Sequence, residues 1–64
     1  MSKDLTVVSE HKAAEILGVE VATLRKWRWL RKPPVFLKMG RLVKYRVSDL
    51  QAFMESCTVA PREV

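Results

Sequence analysis

The fold is decided by the stretch Ala13-Ala14-Glu15-Ile16-Leu17-Gly18-Val19-Glu20-Val21-Ala22-Thr23-Leu24-Arg25-Lys26-Trp27. Ala13, Ala14, Ile16 and Leu17 recur as one helical stripe, with His11, Lys12 and Glu15 left to face water. Gly18 stops that helix, because a residue without a Cβ enters the left-handed conformation at little cost. Upstream, Ser9 follows Thr6-Val7-Val8 and can offer its hydroxyl to a free amide of a first turn, so a first helix is predicted over residues 10–17. After the turn Gly18-Val19-Glu20 a second helix is predicted over residues 21–30. Stepping about 100° per residue from Leu24 puts Glu20, Leu24, Trp27 and Arg28 on one side, with Leu24 and Trp27 as the core pair. Ala22, Arg25, Lys26 and Trp29 fall opposite. Two short helices joined by a glycine-containing turn, the second turning its cations away from the core, form a helix-turn-helix pattern.

Pro33 and Pro34 end helical structure, since proline lacks the amide donor and drives its predecessor out of the α region. Residues 35–38 and 42–46 are β-prone and flank Met39-Gly40-Arg41, which reads as a hairpin turn with positive φ at Gly40. On the second strand Val43 and Tyr45 alternate with Leu42, Lys44 and Arg46, giving an apolar face and a mostly cationic one. Ser48 and Asp49 signal a third helix over residues 49–56, its Leu50, Phe53 and Met54 packing on helix 1 and the hairpin. The order of helix, turn, helix, hairpin and helix is a mainly α winged helix-turn-helix. Residues 1–5 are expected to fray, 6–57 to form the domain and 58–64 to be a flexible tail.

The 64-residue chain has room for one lean domain. With a single cysteine, Cys57, and a single histidine, His11, it can build neither an internal disulfide nor a zinc site of four Cys and His ligands. His11 is expected at the surface of helix 1, and Cys57 as a half-buried apolar group. There is no apolar run long enough to span a bilayer and no secretory pattern near Met1, so a soluble, cytoplasmic protein is expected. Glycine-rich phosphate loops and nucleophile–base pairs are lacking, which argues against an enzyme, and no cofactor is expected.

Charge is unevenly placed. Residues 25–46 carry nine of the 12 Lys and Arg residues, and all seven Asp and Glu residues lie outside that window. A solvated surface ordinarily mixes the two signs, so this stretch points to a polyanionic partner.

Three motifs carry a resemblance to a known family: Ala13-Ala14-Glu15-Ile16-Leu17-Gly18-Val19, then Thr23-Leu24-Arg25-Lys26-Trp27, then Phe36-Leu37-Lys38-Met39-Gly40-Arg41 running on to Tyr45-Arg46-Val47-Ser48-Asp49-Leu50-Gln51-Ala52-Phe53. In this order they resemble the AlpA-like and phage excisionase-like winged helix-turn-helix proteins with a MerR-like DNA-binding fold. Glu20 and Val21 depart from the pattern, in which a small polar residue and a base-contacting one are common at these turn positions. The resemblance implies binding of double-stranded DNA, with helix 2 in the major groove through Arg25 and Lys26. The hairpin would be a wing whose Lys38, Arg41 and Lys44 meet the adjacent backbone or minor groove. It also implies a phage or mobile-element protein, acting as a transcriptional regulator or as an excisionase that directs an integrase.

Each candidate has a plain structural reading beside the functional one. Arg25 suits the two acceptors of guanine or a phosphate, and Lys26 suits a phosphate, though both also serve as solvated surface charges. Ala22 and Thr23 can touch a thymine methyl or a phosphate, while Thr23 can equally steady the turn. Trp29 is expected to pack under the wing, with stacking on a sugar or a protein contact as alternatives. Arg41 at the hairpin tip suits a narrow minor groove, and Arg46, Arg31 and Lys32 are secondary candidates. A competing reading is a protein-interaction module, an anti-repressor or assembly factor using the basic face and Trp29. An integrase or RNA polymerase is a candidate protein partner, and a monomer that pairs only on DNA is expected.

Overall fold

The structure, a computed structural model, describes residues 6–59; residues 1–5, expected to fray, and residues 60–64 of the tail expected over 58–64 lie outside the described residues. Six elements follow in order: β1 (Val7–Ser9), α1 (Glu10–Leu17), α2 (Val21–Trp29), β2 (Leu37–Met39), β3 (Leu42–Arg46) and α3 (Val47–Ser56). The strands form one antiparallel sheet in the order β1-β3-β2. This is the expected winged helix-turn-helix, with one strand more than the hairpin alone.

Helix α1 starts and stops where its sequence signals lie. The Ser9 hydroxyl accepts from the Lys12 N–H at 3.2 Å, and Gly18 takes φ 72° beyond Leu17. Ala13 and Ala14 are buried, Ile16 and Leu17 half-buried, and His11, Lys12 and Glu15 exposed. The small side chains at 13 and 14 let Leu24 of α2, Tyr45 of β3 and Leu50 of α3 meet against α1 in a five-residue core. Full burial of a leucine such as Leu24 contributes about 1.5–3 kcal/mol. Around this centre, Trp27 lies on Phe53 with ring centroids 5.8 Å apart, and Phe36 on Tyr45 at 6.3 Å.

Strand β1 was not anticipated. Val7, Val8 and Ser9 pair with Arg46, Tyr45 and Lys44, so Val8 joins the face that covers the helices. In the hairpin, Met39 opposite Leu42 leaves Gly40 and Arg41 as a two-residue turn, narrower than the expected three, with Gly40 at φ 63°. Strand β2 begins at Leu37 rather than at 35, since Val35 still stands 59% exposed beside the prolines.

The third helix starts earlier than Ser48 and Asp49 suggested. Strand β3 runs straight into it: Arg46 is the N-cap residue, with no side-chain cap bond, and the Val47 N–H donates to the Thr6 carbonyl at 3.0 Å. Ser48 and Asp49 fall inside the first turn instead. Two burial expectations also fail, because the far end of α3 overruns the core: Met54 is 39% exposed and Cys57 is an exposed free thiol.

Candidate nucleic-acid interface

Helix α2 begins without a side-chain cap. Glu20 is extended at the N-cap position, and its carbonyl accepts from the Thr23 and Leu24 amides at 3.0 and 3.1 Å. What holds the helix is its inward side, where Leu24 is fully buried and Trp27 and Arg28 half-buried. The outward side is the one the helical wheel selected: Ala22, Arg25, Lys26 and Trp29 are all exposed, and together with Leu30 they line one open depression. Thr23 is half-buried and stands outside that group.

Trp29 is 84% exposed, which overturns its expected burial under the wing. The wing grows from a segment beyond Pro34, and its aromatic contact with the helix pair goes to the inward side, where the Arg28 guanidinium lies 5.9 Å from the centre of the Phe36 ring. Trp29, at the last position of α2, is left beside Lys26 and Leu30 as an uncovered indole.

The strand register separates the wing cations. Residues paired across a ladder project to the same side, so Lys44 shares its side with Leu37 and Ser9, whereas Lys38 shares that of Val43 and the buried Tyr45. Arg41 stands exposed at the tip. Arg46 is committed locally, its Nη1 lying 3.2 Å from Asp49 Oδ2 in the first turn of α3. The outer side of the sheet is accordingly mixed rather than purely cationic: beside Lys44 and Arg46 it exposes Val7, Met39 and Leu42.

One residue that sequence reasoning missed links the two helices. Glu10, in the first turn of α1, places Oε2 at 3.0 Å from Arg25 Nε and 2.9 Å from Arg25 Nη2, while Oε1 lies 3.3 Å from Arg28 Nη2. The hydrogen bond from Arg25 holds the Glu10 carboxyl below the usual carboxylate range against the opposing effect of burial, so it is charged at neutral pH. Arg28 is the reason a carboxylate is needed: a cation in phase with Leu24 leaves water and requires a partner. That phase relation was the available signal. Burial also pushes the Tyr45 phenol up, with the charge of Arg28 opposing it.

Among the described residues there is no cluster of three or more His, Cys, Asp or Glu side chains suited to a metal ion, and no helix long and apolar enough to cross a membrane. In comparisons with known proteins, the family model described as a helix-turn-helix domain matches residues 12–58. The chain belongs to the helix-turn-helix domain family. Its members are small AlpA-like and excisionase-like DNA-binding proteins. No curated protein matches this sequence. In this helix-turn-helix domain the matched span takes in α2 and the whole wing and begins two residues after Glu10.

Proposed function

We propose that this helix-turn-helix domain reads the sequence of double-stranded DNA, serving a phage or mobile element as a transcriptional regulator or as an excisionase. The observation that carries the reading is the outward side of α2, where Ala22, Arg25, Lys26 and Trp29 stand exposed together in a run from Val21 to Ser48 that holds no acid. A helix fits the major groove, which is about 12 Å wide, and its outward side chains then meet base edges and flanking phosphates. Arg25 supplies paired donors for a guanine edge, Lys26 a point charge for a phosphate, and Trp29 a flat surface for a sugar at the helix end. Arg41 and Lys44 extend the contact along the wing. Regulator and excisionase use this same surface. Footprinting of the element's promoters against its attachment region separates the two roles.

The exposed indole of Trp29 also suits a second reading, an interaction module that docks an acidic protein partner, as an anti-repressor or assembly factor would. Salt and substitution divide the two. Contacts to about five to seven phosphates give a log–log slope of about −5 to −6 for duplex affinity against salt. Arg25→Ala combined with Lys26→Ala lowers affinity for a selected duplex by about 100-fold or more, while circular dichroism still reports a folded domain. Wild-type affinity in that variant removes α2 from the mechanism. Tight protein capture by a chain that binds no duplex at low salt establishes the interaction module instead.

A further inference from the structure

We propose that Glu10 is a positioning residue for recognition: its carboxylate grips one edge of the Arg25 guanidinium and so presents the remaining pair of N–H donors to a guanine edge. The inference rests on the DNA-binding reading of α2 and assigns a role to a residue on the other helix.

An arginine guanidinium has five N–H donors in a fixed plane. In this structure the edge formed by Nε and Nη2 is turned to Glu10 Oε2, at 3.0 and 2.9 Å. The end-on pair, Nη1 with the outer hydrogen of Nη2, is left over, and its fork matches the N7 and O6 acceptors of guanine. The carboxylate is itself held. It projects from the first turn of α1 with only 19% of its side chain exposed, and its other oxygen meets Arg28, which lies over Phe36. Arg25 is therefore fixed at its tip although its side chain is 47% exposed, and the rotamer freedom it would lose on binding a base is largely lost already.

The negative charge has a second consequence. It offsets the attraction of Arg25 for phosphates at large, which acts on every duplex equally, and leaves intact the geometric match to one base. Glu10 thus favours discrimination over affinity. A residue that merely stabilised the helix pair would change melting and would weaken all duplexes alike.

The intact chain is tested on two duplexes of equal length, one selected from a random pool and one with the selected guanines replaced. Glu10→Gln is expected to lower the ratio of the two affinities about tenfold, with the guanine-free duplex bound at least as tightly as by wild type. In an Arg25→Ala background the same substitution changes the ratio by less than about twofold, because the group it positions has gone. In the free wild-type protein, the Arg25 Nε proton gives a resolved, slowly exchanging NMR signal. That measurement decides the matter even if Glu10→Gln folds poorly, since a freely exchanging Nε proton in wild type overturns the proposal. An unchanged ratio in Glu10→Gln overturns it as well, as does an equal loss with and without Arg25. A wild-type chain that binds neither duplex defeats the DNA-binding reading itself, whereas discrimination that survives Glu10→Gln defeats the positioning role alone.

Discussion

At the end of α1 the Gly18 and Val19 amides donate back to the Glu15 and Ala14 carbonyls at 3.1 and 3.0 Å; at the end of α2 the Arg31 and Lys32 amides do the same to Arg28 and Trp27, at 3.1 and 2.9 Å. Both are the double closure in which the chain leaves a helix through the left-handed region, at φ 72° for Gly18 and 58° for Arg31. Glycine occupies that region freely and arginine is strained there. The first closure sets the turn between the helices, and it uses the unstrained residue. The second opens into an exposed segment of the basic stretch, and there the chain keeps a cation and carries the strain. The same backbone solution is met by an unstrained glycine in one place and by a strained cation in the other.

Changing each closure in turn tests that contrast. Gly18→Ala is expected to have the largest effect, destabilising the domain by about 1–2 kcal/mol in urea unfolding. No atom lies within 4 Å of the added Cβ, so the loss is conformational rather than a clash. The opposite sign is expected for Arg31→Gly, a gain of about 0.5–1 kcal/mol from relieved strain. If Arg31 is kept for its charge, the same variant binds duplex DNA more weakly, with a salt slope shallower by about 1. A more stable variant with an unchanged slope would show that charge has no part in the contrast. The smallest effect comes from acid. Glu10 staples α1 to α2 on the far side from the Gly18 turn, and its carboxyl is lowered in the folded state from an unfolded value of 4.5. A lowered carboxyl contributes stability that is present above about 4.5 and is lost as pH falls through the folded value. Wild type should therefore lose stability more steeply than Glu10→Gln between pH 5 and pH 3, as read by unfolding midpoints at each pH.

Local rules reached much of the molecule. Ser9, Gly18 and Gly40 each act through bonds or torsions within a few residues, and each bounds an element or sets a turn where expected, while the helical phase of Leu24 marked the buried side of α2. What escaped depends on distant partners. Three residues, Val7 to Ser9, are too few to show alternation, and they become a strand only because β3 lies beside them, with partners 35 to 39 positions away. Val47 follows a β-prone run and looks like its continuation, yet it begins a helix as its amide turns to the Thr6 carbonyl. For the candidate interface, helical phase alone placed Ala22, Arg25, Lys26 and Trp29 outward. Phase could not reveal the grip of Glu10 on Arg25 across 15 positions, nor that the register would send Lys38 and Lys44 to opposite sides of the wing.

Ser9 closes β1 opposite Lys44 and in the same position receives the Lys12 amide that opens α1. One residue performs both tasks, so the junction has no slack. Lengthening the chain there by a single residue forces Val8 away from its place opposite Tyr45, or else pulls the hydroxyl off the helix start. The passage from Arg46 to Val47 is equally tight, whereas residues 30–36, outside any helix or strand, separate α2 from β2. A single-residue insertion is therefore expected to cost more stability at the two places where a strand becomes a helix than at exposed Val35 in that run.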